Sequence, residues 1–96
     1  MSAVLPAKPL DVVIPPVAID VEGAKVIILE VIRYTRFDGA TRFLVSCQVE
    51  CQGWLSPQFR LDVKDERDLI NQLRVEVSKM QLLLMSGFTR IFQRAQ

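Results

Sequence analysis

Arginine and aromatic side chains crowd one stretch of this chain: Arg33, Tyr34, Arg36, Phe37, Arg42 and Phe43, with Trp54 and Arg60 close behind. A guanidinium neutralises a phosphate, and an aromatic face accepts an unstacked base. Surfaces that hold single-stranded nucleic acid combine the two. Segment 24–60 sets Lys25, Arg33, Arg36, Arg42 and Arg60 against Glu30, Asp38 and Glu50, a net of +2. Each residue alone has an ordinary explanation, since aromatics favour strands and arginines favour solvent. Taken together, Arg33, Arg36, Phe37, Arg42, Trp54 and Arg60 form a candidate nucleic-acid-binding set. Phe37 and Trp54 are the rings expected to stay exposed.

Other chemistry is sparse. The chain has no histidine, so the commonest general base and metal ligand are both missing. It carries no phosphate loop, no G-x-S-x-G motif and no zinc-ligand spacing. We therefore expect no catalytic residue, no metal and no cofactor. Cys47 and Cys51 lie four apart in an expected strand, about 13 Å between Cα atoms, which is beyond disulfide reach. Buried thiols in a reducing cytoplasm are the expectation. Glu30 is the one acid without an obvious role. It is either a buried carboxyl paired with Cys47, or a group that reaches the sheet edge or an arginine such as Arg60.

The chain has 96 residues, half of them hydrophobic and 24% charged, with a net charge of +1. Folding would bury about 65% of the surface of a chain this long, enough for one core. The near-neutral balance excludes the strongly basic class of nucleic-acid packaging proteins. No apolar run approaches the roughly 20 residues of a membrane span, and the first residues lack the basic and apolar regions of a signal peptide.

The elements that must position the basic-aromatic group follow from patterning. Residues 1–23, punctuated by Pro6, Pro9, Pro15 and Pro16, read as an extended arm. Within it, Leu10–Ile14 and Val17–Val21 could each pair at a sheet edge. Residues 24–96 read as one α+β domain. A hairpin over 25–51 turns at Asp38-Gly39, a strong two-residue turn signal. That turn sets Tyr34 opposite Phe43, Ile32 opposite Val45, Glu30 opposite Cys47 and Ile28 opposite Val49. One face is then almost wholly apolar, and Tyr34 and Phe43 lie on it. Gln52-Gly53 makes the next turn, and a strand over 57–63 points Phe59, Leu61 and Val63 inward. The result is an antiparallel meander of three to five strands.

Asp65 is an expected N-cap, with Glu66 and Asp68 complementing the helix N-terminus. The helix should run over 66–86 and end at Gly87, with Phe88 packing back. Ile70, Leu73, Val77, Met80 and Leu84 make its apolar stripe, widened by Leu69 and Leu83. Val75, Leu82 and Met85 lie off that stripe, so the second half of the helix is apolar nearly all round. Val75, Leu82, Leu83 and Met85 are accordingly candidate dimerisation residues. The alternative is that Phe88, Ile91, Phe92 or the arm covers the excess within one chain. The tail, 88–96, has Phe88, Ile91 and Phe92 at helical spacing and reads as a short amphipathic piece.

This order of parts resembles the single-strand-binding domain of positive-cofactor-four/Whirly-type proteins and the noncanonical single-strand binding proteins of thermophilic archaea. The resemblance spans roughly Lys25 to Leu84 and runs through Phe59-Arg60-Leu61-Asp62-Val63 into the long helix. It implies a homodimer joined through helix contacts that presents sheet surfaces to unwound DNA; the partner expected for this chain is single-stranded DNA or RNA. Arg33, Arg36, Arg42 and Arg60 would contact phosphates, and Phe37 and Trp54 would stack. The leading expectation is a non-catalytic, cytoplasmic, single-stranded nucleic-acid-binding protein. The rival is a small structural or regulatory adaptor whose helix and arm recruit a protein.

Overall fold

Chain reversals at Gly23, Gly39 and Gly53, all at positive φ, organise the protein, whose computed structural model describes residues 14–95. Strands β1 (Val17–Val21), β2 (Ala24–Thr35), β3 (Thr41–Cys51), β4 (Trp54–Leu55) and β5 (Phe59–Val63) precede helix α1 (Glu66–Met85), and β6 (Gln93–Arg94) follows it. The strands form one antiparallel, six-stranded sheet in the order β1-β2-β3-β4-β6, with β5 also paired to β3. This is the expected α+β architecture, a sheet followed by one long helix packed on it. The expected edge pairing of Val17–Val21 is strand β1; Leu10–Val13 lie outside the described residues.

The hairpins joining β1 to β2 and β3 to β4 turn on Glu22-Gly23 and Gln52-Gly53. Both residues of each pair have positive φ, as the type I′ turn requires. The hairpin between β2 and β3 turns differently from the two-residue expectation. Arg36 N–H donates to Ala40 O at 2.8 Å and Gly39 N–H to Arg36 O at 2.9 Å, leaving a three-residue loop, Phe37-Asp38-Gly39. Gly39, at φ +90°, closes it, as a type I turn with a following glycine bulge does.

That extra residue shifts the register by one, and a one-residue slip exchanges the faces of a strand. Tyr34 therefore stands opposite Arg42, Ile32 opposite Leu44 and Glu30 opposite Ser46. Phe43 and Val45 remain on the inner face, now facing Arg33 and Val31. A bulge between Ile28 and Glu30 then restores the inward placement of Ile28 and Val26, opposite Cys47 and Val49. The expected apolar face thus holds for all of β3 and for the first half of β2. In the second half of β2 it is reversed: Tyr34, Ile32 and Glu30 face outward.

Beyond Gln52-Gly53 the returning strand breaks at Ser56. Its N–H donates to Val49 O (2.8 Å), and its hydroxyl accepts from Val49 N–H (2.9 Å) and donates to Pro57 O (2.9 Å). The side-chain oxygen thus takes the acceptor's place on Val49 N–H as the strand leaves the ladder ahead of Pro57, and the buried hydroxyl is satisfied.

Asp65 caps α1 by accepting from Asp68 N–H at 2.8 Å. Asp68 accepts in turn from Lys64 N–H at 3.0 Å, and that bond holds its carboxyl below the usual carboxylate range. At the other end Phe88 N–H reaches Leu83 O and Gly87 N–H reaches Leu84 O, the Schellman pairing. Leu69, Leu73, Val77 and Met80 are buried against Val26, Val45, Cys47, Val49 and Val63 of the sheet. The tail departs from expectation. Residues 89–92 form a turn closed by Phe92 N–H on Thr89 O, Phe92 alone enters the core, and β6 pairs with β4.

Candidate interaction surfaces

Two regions gather the side chains singled out above. At the far end of the β2–β3 hairpin, Tyr34, Arg42 and Asp62 meet on the outer face of three neighbouring strands. Arg42 Nε lies 3.0 Å from Asp62 Oδ1, and the Tyr34 hydroxyl donates to Asp62 Oδ2. Arg42 Nη2 also reaches Asp62 O at 3.4 Å, a carbonyl to which Gln72 donates from the helix. The Tyr34 hydroxyl and the Arg42 guanidinium hold the Asp62 carboxyl below its ordinary value, while the carboxylate raises Tyr34. This constellation clamps β5 to β3 and β2.

Arg36 lies 3.6 Å from Asp38 across the loop, and Phe37 at the tip is wholly exposed. Arg60 is exposed on the outer face, with no ion pair among the described residues. Arg33 belongs to the inner side, opposite Phe43. Trp54 stands opposite Cys51, is half-buried against the core, and carries the Arg94 guanidinium 4.8 Å from its ring centroid. The six residues of the candidate nucleic-acid set therefore do not share one surface. Trp54 departs from its expected exposure because its register position points it under the sheet. Among strand positions of the outer face, Lys25, Arg42 and Arg60 stand against Asp20, Glu30, Glu50 and Asp62.

Glu30 lies exposed on that outer face, away from Cys47, which faces Ile28. Cys47 and Cys51 are free and buried, and burial pushes the Cys47 thiol up to about 11. Cys47 is thus a protonated packing group at neutral pH.

The second region is the outward side of α1. Val75, Leu82 and Met85 are 56%, 63% and 80% exposed, and Phe88 and Ile91 beyond the helix end are exposed too. On the helix itself, Val75, Ser78, Leu82 and Met85 form a stripe at spacings of three, four and three. Leu83, the fourth candidate dimerisation residue, is instead half-buried against the core. It lines an apolar cavity of about 210 Å³ with Val49, Phe59, Met80, Ile91 and Phe92. Polar side chains on the flanks of the stripe are engaged within the chain. Arg74 Nε lies 3.6 Å from Glu22, Lys79 Nζ lies 3.0 Å from Glu76, and Gln81 donates to Glu22 O.

Sequence reasoning missed the Asp62 clamp and the role of Ser56. Asp62 sits in an alternating strand whose partner cannot be read without the correct register. Ser56-Pro57 did carry a signal, since a proline after a hydroxyl residue marks a break in a ladder. Among the described residues no three histidine, cysteine, aspartate or glutamate side chains gather as metal ligands, and no helix is long and apolar enough to cross a membrane. No protein-family model, no curated protein and no solved structure matches this chain.

Proposed function

We propose that this chain is a non-catalytic protein-interaction module that self-associates through the outward side of α1. The observation that carries the reading is the uncharged stripe Val75, Ser78, Leu82, Met85, left open to solvent on a helix whose other side is buried, with Phe88 exposed just beyond the helix end. Monomeric soluble proteins rarely leave contiguous apolar side chains exposed without a partner for them. Of the tail residues that could have supplied cover within the chain, Phe92 goes to the core while Phe88 and Ile91 add to the exposed apolar surface; most of the arm lies outside the described residues.

The test is sedimentation of the wild-type chain and of Leu82→Glu combined with Met85→Glu. We expect dimers in the wild type. In the double variant, association should weaken on the order of 100-fold, because each interface would bury unpaired carboxylates. Circular dichroism should be unchanged, since both positions are exposed in the single chain. A wild-type chain that sediments only as a monomer at all concentrations refutes the reading.

Single-stranded nucleic-acid binding is the second reading. It is favoured by the exposed ring of Phe37 beside Arg36, with Arg60 also exposed. A labelled oligothymidylate should then bind with an affinity that falls steeply with salt, and Phe37→Ala with Arg60→Ala should abolish most of it. Absence of binding at low salt removes this reading.

A further inference from the structure

We infer that the partner on the outward stripe of α1 is a second copy of this chain, laid antiparallel so that the two Leu82 side chains meet on the two-fold axis. The inference rests on the self-association proposed above and adds orientation and register. Three observations carry it. The stripe Val75, Ser78, Leu82, Met85 has the three-four-three spacing at which two helices interdigitate side chains along a seam. No charge lies in the stripe, and its flanking cations are already held by Glu22 and Glu76, so two copies meet without like-charge repulsion. Finally, the sizes of the side chains on either side of Leu82 complement each other only when one helix is reversed.

Reversal about Leu82 lays the long Met85 over the small Ser78 of the other copy on both sides of the axis. Side-chain volume then alternates along the seam, as close packing requires. A parallel pair would stack Met85 on Met85 and would leave Ser78 facing Ser78 across a gap. Reversal also sets each helix N-terminus, with Glu66 and Asp68, away from its equivalent in the other copy. The arrangement is isologous and closes at two copies, so each chain contributes the same patch.

Cysteine pairing tests this, and the native thiols do not interfere because Cys47 and Cys51 are buried. Leu82→Cys, Ser78→Cys and Met85→Cys are made singly in the full chain, at positions exposed in the monomer. They are then oxidised with glutathione disulfide, which takes up the two electrons and two protons of each thiol pair. We expect Leu82→Cys to link to itself. A mixture of Ser78→Cys and Met85→Cys should give several-fold more linked dimer than either variant alone. If Ser78→Cys and Met85→Cys each link to themselves as well as they do mixed, the helices are parallel; the inference fails while the self-association reading survives. A chain that sediments as a monomer and links in no combination overturns both. So does a monomer that co-sediments with phosphatidylcholine vesicles, which would assign the stripe to a lipid surface.

Discussion

The far end of the β2–β3 hairpin and the C-terminal end of α1 were both marked out by composition, one by charge and rings, the other by apolar excess. They end differently. At the hairpin end Arg42 and Arg36 find carboxylates within the same chain, and Tyr34 joins Arg42 on Asp62. At the helix end Leu82, Met85, Phe88 and Ile91 stay mostly exposed. The difference is one of range and dimension. A charged group is satisfied by one well-placed neighbour, which a hairpin supplies across a strand pair. An apolar side chain needs area, and one sheet can cover only one side of a helix.

The largest expected effect tests whether the bulge at Leu29 is what assembles the hairpin end. Deleting Leu29 leaves an unbroken β2–β3 ladder, so Val26 and Ile28 stay inward and Tyr34 stays beside Arg42. Deleting Leu44 from unbulged β3 sends Phe43 outward and Arg42 inward, against both the core and the clamp. We expect the Leu29 deletion to fold, with native circular dichroism and a cooperative melt, and the Leu44 deletion to be unfolded. Equal damage from both would show that the bulge is not a register device.

The next effect separates the two sides of the helix. Leu73 is wholly buried and Leu82 is not. Leu73→Ala should cost about 2–5 kcal/mol in denaturant unfolding. Leu82→Ala, measured at concentrations where the chain is monomeric, should stay within about 0.5 kcal/mol while weakening association. A large monomer loss at Leu82 would mean that the chain covers this residue itself, and the contrast would collapse.

The smallest effect sharpens the hairpin side. Asp62 is held below its ordinary value by the Tyr34 hydroxyl and the Arg42 guanidinium. A carboxyl lowered in the folded state contributes stability that is fully present above the unfolded value of about 4, and that is lost as pH falls through the lowered folded value. Asp62→Asn should therefore shift the urea midpoint down modestly at neutral pH, and the gap from wild type should close in acid. A gap that is constant with pH would mean that the carboxylate's charge is not what holds the clamp.

Much of the frame was legible before any coordinates. Asp65 at the helix start, Gly87 at its end and the inward alternation of Phe59, Leu61 and Val63 are local signals, and the structure bears them out. The faces of the second half of β2 were misread because Asp38-Gly39 suits both a two-residue turn and the last two positions of a three-residue loop. The choice between them inverts the strand. Trp54 was misplaced because it lies in a two-residue strand, too short for alternation to show which way it points.

What the sequence determined by itself is the set of elements: three glycine turns, a long ribbon, a capped helix with more apolar surface than one sheet can take. Those follow from local backbone preference and from the period of hydrophobic residues, which act over a few neighbours. Which residues meet across the sheet, and which apolar groups remain uncovered, was decided only in three dimensions. Cross-strand register depends on a single residue in a loop and a single bulge. Coverage depends on where the tail runs once it leaves the helix.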